Sequence, residues 1–263
     1  MKNKILSLFL IIAFVAIAAI SSTMAYFTDT DHAKNVFTVG NVEIELIEQQ
    51  RDAEGKLVEY VNGKPLYPAI YYGTPALDSS VATPDGSTAD IFGNSVANVQ
   101  DKIVSVQNTG LTTAYVRVLF AFEDKLLTDG TKVFDLIHTR FNDDALVGEV
   151  EWLTDANGQR ALVSLDVDGE IGTYSICSFT YANPVASNNY TPASLLQFYL
   201  DPAAGNEFSS SVGAKYDIWV MAQAVQSDGF MNATHALDTA FGDFTADKAA
   251  EWFAQIDTTV YDG

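Results

Sequence analysis

Apolar and polar positions alternate strictly through Val42-Glu-Ile-Glu-Leu46, so one side of an extended segment is oily and the other wet. That is the pattern of a half-buried strand. Gly40-Asn41 just before it marks a bend or bulge. Asp52-Ala-Glu-Gly55 and Asn62-Gly63 bracket Lys56–Val61, which reads as a hairpin strand between turns. Residues 73–96 are rich in Gly, Ser, Thr, Pro and Asp and read as a long surface loop. Lys102–Gln107 then leads through a turn signal, Asn108-Thr-Gly110, into Ala114–Phe122, an almost unbroken apolar run expected to be a largely buried strand.

The same reading places strands at Ile171–Tyr181 and Tyr216–Val225, and a hairpin pairing Glu149–Leu153 with Ala161–Val167 across Asp155-Ala-Asn-Gly158. Ser194–Leu200 fits either strand or helix, because a short apolar run does not separate the two. Helical spacing is scarcer. Lys132–Phe141 fits a short amphipathic helix, and Thr234–Phe241 and Thr245–Gln255 fit two more. Thr245 suits an N-cap, with Asp247 in the first turn where the helix dipole favours acid. Many short strands with frequent turns predict a mainly β fold, a jelly-roll-like antiparallel β-sandwich with a few short peripheral helices.

The chain opens differently. Lys2 and Lys4 precede a run from Ile5 to Ile20 that is apolar throughout except for Ser7 and is then broken by Ser21-Ser-Thr23. Thr23-Met24-Ala25 supplies small residues where a signal peptidase reads, so cleavage is expected between Ala25 and Tyr26. The alternative is a retained anchor. The run falls short of the ~20 apolar residues a spanning helix needs. The expected organisation is a signal peptide at 1–25, a flexible segment at 26–40, and a single β-sandwich domain at 41–263 with a helical C-terminal extension.

Composition narrows the function. The 14 basic side chains face 34 acidic ones, a formal charge of −20, and Lys2 and Lys4 leave with the leader. Such a surface repels nucleic acid and anionic lipid, which are held by Lys and Arg. With 12 Tyr and 16 Phe the chain is too apolar for disorder. Its one cysteine, Cys177, excludes an intrachain disulfide and reads as a buried thiol.

Catalytic patterns do not emerge. His32, His138 and His235 are far apart, with no H-E-x-x-H. There is no G-x-S-x-G elbow and no glycine-rich phosphate loop. Asp166-Val-Asp168-Gly-Glu170 and Asp29-Thr-Asp31 cluster carboxylates that calcium could use, though Asp-Gly is also good turn chemistry. Trp152, Trp219 and Trp252 could stack sugars, but they fall in two strands and a helix, and core packing explains them better. No cofactor is expected, calcium at Asp166, Asp168 and Glu170 being the weak exception.

What remains is a polar N-terminal segment joined to a β fold. An extended segment can add a strand to another subunit's sheet. Pairing only within its own subunit is the equal alternative.

Ala25-Tyr-Phe-Thr-Asp-Thr-Asp31, then Phe37-Thr-Val-Gly-Asn-Val-Glu-Ile-Glu-Leu46, resemble the TasA/camelysin family of secreted Gram-positive surface proteins. Asn108-Thr-Gly110 with Ala114-Tyr-Val-Arg-Val118, and Tyr216–Phe230, look like that family's middle and final core elements. These blocks cover well under a third of the chain. The resemblance implies a jelly-roll fold, processing by a SipW-type signal peptidase, and a non-enzymatic role outside a Gram-positive cell in matrix or surface fibres. The partners it implies are copies of the same chain, head to tail, with other matrix proteins possible and no membrane after cleavage. The donor segment carried over is Tyr26, Phe27, Thr28, Asp29, Thr30 and Asp31, with Phe27 the anchor and Phe37, Val39, Val42, Ile44 and Leu46 the strand face that follows. Camelysin-like members are described as surface metallopeptidases, which makes that activity one alternative, without a zinc motif here. A non-polymerising adhesin of the same fold is another.

Overall fold

The computed structural model describes residues 36–39, 41–167, 169–204 and 216–256. The expected leader and the Tyr26–Asp31 segment lie outside the described residues.

The strands run β1 (Val36–Val39), β2 (Ile44–Arg51), β3 (Leu57–Glu59), β4 (Ile70–Tyr71), β5 (Leu77–Ala82), β6 (Thr88–Phe92), β7 (Val96–Ala97), β8 (Gln100–Asp101), β9 (Ile103–Asn108) and β10 (Ala114–Glu123). A 3-10 turn (Val133–Leu136) leads to β11 (Ile137–Phe141). Then come β12 (Gly148–Trp152), β13 (Val163–Val167), β14 (Glu170–Tyr181), β15 (Leu195–Leu200) and β16 (Ile218–Gln226), followed by α1 (Ala233–Phe241) and α2 (Ala246–Phe253). The chain is mainly β and its sheets are antiparallel, apart from β1, which pairs parallel with β16.

Two sheets face each other. The front sheet has the order β1-β16-β10-β14-β12, with β13 also on β14. In the back layer β2 pairs with β3 and β9, and β15 with β8 and β11. These two ribbons are one layer, because β9 bonds the chain entering β15: the amides of Thr191 and Ser194 donate to the carbonyls of Val106 and Val104, each at 2.8 Å. Val116, Val118, Phe120 and Phe122 of β10 point between the sheets, meeting Ile44, Leu46, Val104, Val106, Phe198 and Leu200.

The helices explain why β10 reads as unbroken rather than alternating. Its other side chains, Leu119 and Ala121, are covered by Ala249, Trp252 and Phe253 of α2. Tyr115 lies under Ala236 and Leu237 of α1. A strand covered on both faces needs apolar residues at every position. Each helix starts at a side-chain cap: Asn232 Oδ1 accepts from His235 N at 2.9 Å, and Thr245 Oγ1 from Lys248 N at 3.3 Å, as expected for Thr245.

Three local expectations are corrected. The 73–96 segment is no loop, since β5 and β6 form a hairpin across Asp85-Gly86 whose Val81, Ala89 and Ile91 cover the back layer at Ile103 and Leu196. The 155–159 turn closes as expected, with Thr154 bridging Arg160. Its flanking strands, however, do not pair with each other: β12 and β13 lie one after the other along the twelve-residue β14. Lys132–Phe141 is one 3-10 turn and then β11, paired with β15. Tertiary contacts override helical spacing there. Phe134 stacks on Phe122 with centroids 4.7 Å apart, and Phe141 meets Phe120 edge-on at 5.4 Å. Ser194–Leu200, left open by its sequence, supplies the strand β15.

That turn is tied down by Asp124, a fully buried carboxylate at the end of β10. Its Oδ1 accepts from Phe134 N at 2.9 Å and its Oδ2 from Ser175 Oγ at 2.6 Å. Burial raises its pKa, against those hydrogen bonds and the charge of Lys132. A folded-state pKa above the unfolded one means that protonation favours the fold. The stabilisation is complete below the unfolded carboxylate value and is lost as pH rises through the folded one. Asp124→Asn, whose Oδ1 can still accept from Phe134 N and whose Nδ2 donates to Ser175 Oγ instead of accepting from it, is therefore expected to gain stability over the parent at pH 7 but not at pH 4. Urea unfolding at the two pH values checks this, and an equal difference at both would refute it.

Candidate functional site

The N-terminal edge of the front sheet is the first candidate. β1 is only four residues long, lies outermost, and sets Val36, Phe37, Thr38 and Val39 opposite Ala222, Gln223, Ala224 and Val225. Phe37 and Val39 thus stand on a strand of the front sheet. Val42, Ile44 and Leu46 point into the core from the back layer.

Between them lies a fixed pivot. The amides of Thr109 and Gly110 both donate to Glu43 O at 2.9 Å, and Thr112 Oγ1 donates to Asn41 O at 2.8 Å. The fully buried Asn108 organises this turn. Its Nδ2 donates to Thr112 O and Val185 O, each at 2.8 Å, while its Oδ1 accepts from Gly110 N at 3.1 Å. Gly110 is required by space: an added Cβ would lie 2.7 Å from Glu43 N. The Asn108-Thr-Gly110 turn signal is therefore also the clamp on the chain leaving β1.

The second candidate is a cavity of about 240 Å³ lined by Glu48, Tyr60, Lys64, Lys102, Phe198 and Trp219, among others. Lys102 is 3% exposed, pairs with Glu48 at 3.0 Å, and lies 4.1 Å from the Tyr60 ring centre. Burial, and then the charge of Glu48, push the Tyr60 hydroxyl up to about 12. This is a buried ion pair against an aromatic ring, with no activated nucleophile beside it among the described residues.

The other chemistry-bearing residues stay apart. Cys177 lies wholly inside the core, where burial drives its pKa well up and keeps the thiol protonated and inert. His138 stacks on Tyr199 and bonds Asp201 Oδ2 at 2.7 Å, on a strand rather than the expected helix. His235 sits on α1, and His32 lies outside the described residues. Asp166 accepts from Gly169 N at 2.9 Å in the β13–β14 turn, Glu170 opens β14, and Asp168 is not described. Among the described residues no three His, Cys, Asp or Glu side chains converge as a metal site. The tryptophans do not share a face: Trp152 packs on Phe122 and Phe134, while Trp219 and Trp252 belong to the cluster under α2.

Sequence reasoning missed the buried charges. Arg117, Lys102 and Asp124 each interrupt or flank an apolar strand run, and that interruption is the signal that finds them.

The fold and its edge define a class, an antiparallel β-sandwich with a helical cover on one face and an N-terminal parallel edge strand. No family model, curated protein or solved structure matches the chain.

Proposed function

We propose that the chain is a secreted structural subunit of extracellular fibres, with a jelly-roll-like sandwich, released by signal cleavage after Ala25 and assembled head to tail by donating its N-terminal segment. The observation that carries this reading is the parallel pairing of β1 with β16. A parallel partner is never supplied through a tight turn. β1 and β16 lie at opposite ends of the chain, so the same hydrogen bonds form whether β1 comes from the same molecule or from a neighbour. The clamp at Asn108–Gly110 holds the chain just past β1, so an arm leaving at residue 40 has a fixed point of departure. A head-to-tail contact of this kind gives open filaments.

Electron microscopy and sedimentation of the chain from Tyr26 test this against the chain lacking residues 26–39, which removes β1 as well. The first is expected to form filaments and the second to form none. A chain from Tyr26 that makes no filaments at any concentration, or a deletion that makes them equally well, would falsify strand donation.

A further inference from the structure

A surface whose own strands carry no charged residue lies around β4. Within it the chain alternates: Ala69 is buried, Ile70 points out, Tyr71 packs inward edge-on against Tyr199, and Tyr72 points out again. Tyr67, Ile70 and Tyr72 are 58%, 50% and 69% exposed, a concentration of large apolar side chains on one short ribbon. Isolated exposed apolar residues need no explanation, but a contiguous group marks an interaction surface. Tyrosine is also among the residues enriched at protein interfaces.

The charge pattern identifies the partner. Residues 60–77 contain no Asp or Glu and one charged residue, Lys64, while residues 91–100 contain no charged residue at all. β4 and β7 bring these two stretches side by side, Ile70 opposite Ala97 and Tyr71 opposite Val96. The 34 acidic side chains lie elsewhere. Of those that border the ribbon, Asp101 is paired with Arg51, while Asp78 accepts from Asn94 N and Asp201 bonds His138, neither of them a fixed positive charge. A basic partner would find its best surface anywhere but here. An acidic partner would be repelled everywhere but here. The chain itself is such a partner, and the least repulsive way for two copies to meet sets one acid-free ribbon against the other.

We infer that the β4–β7 ribbon is a two-fold, self-complementary contact between copies of this chain, seated on Tyr67, Ile70 and Tyr72. It joins molecules side by side, is separate from strand donation, and stands or falls independently of it.

Sedimentation of the chain from Tyr26 is expected to reveal a dimer that tightens as salt is raised, because salt screens the repulsion between acidic bodies. Tyr67→Ser/Ile70→Thr/Tyr72→Ser is expected to weaken that dimer about tenfold or more. These side chains are exposed, so the variant should keep the parent's circular dichroism. Tyr72→Cys adds an accessible thiol, since Cys177 is buried, and a bismaleimide should link it into homodimers faster than Leu146→Cys. A parent that stays monomeric in high salt, a triple variant that dimerises like the parent, or equal cross-linking at positions 72 and 146 each overturns the proposal. Parent that stays monomeric yet binds a polysaccharide or another protein through these tyrosines overturns it too. Filaments without the dimer would refute only the ribbon contact, and a dimer without filaments only strand donation.

Discussion

Replacing Arg117 by alanine is expected to cost about 3–5 kcal/mol of unfolding free energy, the range seen when one partner of a buried ion pair is removed. The guanidinium lies between the front sheet and its helical cover, 2% exposed. Nε donates to Gln223 Oε1 at 2.6 Å, Nη1 to Asp238 Oδ1 at 2.9 Å, and Nη2 reaches Gly242 O at 3.5 Å. Its plane also lies over the Trp252 ring, 4.9 Å from the centre. Burial lowers the pKa of this group and Asp238 opposes the shift, so the charge is retained by its partners. Alanine removes all of them and leaves a cavity. Gln223, whose Nε2 already lacks a partner, then loses its other hydrogen bond. Lysine does not rescue, because a single ammonium cannot reach three acceptors in a planar fork. A variant that removes both charges, Arg117→Met with Asp238→Asn, is expected to recover much of the loss, since apolar replacement of a whole buried pair is often neutral. Urea unfolding measures the stability, and hydrogen exchange should find α1 and α2 opening first. An Arg117→Ala protein within about 1 kcal/mol of the parent would mean that the cover is held by apolar packing alone.

Arg117 also marks the limit of what the sequence makes legible. Alternation at Val42–Leu46, the turns at Asn62-Gly63 and Asn108–Gly110, and the apolar runs of β10, β14 and β16 all place strands where they occur. These signals are local, because the side chain either faces the core or does not. The 3-10 turn and β11 were not legible, because the aromatic cluster of Phe122, Phe134, Phe141 and Trp152 that decides them is assembled from three separate segments. The β5–β6 hairpin was hidden for another reason. Of its strand side chains only Val81, Ala89 and Ile91 are buried, and most of the others are the small or polar residues of a loop. The candidate site divides the same way. The turn motif of the clamp could be read directly. Its hold on Asn41 and Glu43 could not, since nothing in the sequence says which carbonyl a buried asparagine will meet.

That hold is expected to be worth about 1–3 kcal/mol, the cost of one buried group left unsatisfied. Asn108→Ala strands Thr112 O, whereas Val185 O keeps the amide of Ala114 and Gly110 N keeps Glu43 O. Asn108→Asp is the sharper probe, because the two side chains have nearly the same shape. The carboxylate can still accept from Gly110 N, but it sets a second oxygen against two carbonyls to which the amide donated. At neutral pH Asn108→Asp is therefore expected to be less stable than Asn108→Ala. Desolvation and the missing donors raise its pKa in the fold. Stability should then return in part as pH falls, when the protonated oxygen can donate to one of the carbonyls. Alanine at 108 has no such response. Comparing the two variants by urea unfolding between pH 4 and 8 separates the clamp's donors from the space it fills. If the two run parallel across that range, the side chain serves packing rather than hydrogen bonding, and the chain beyond β1 lacks the fixed pivot that strand donation requires.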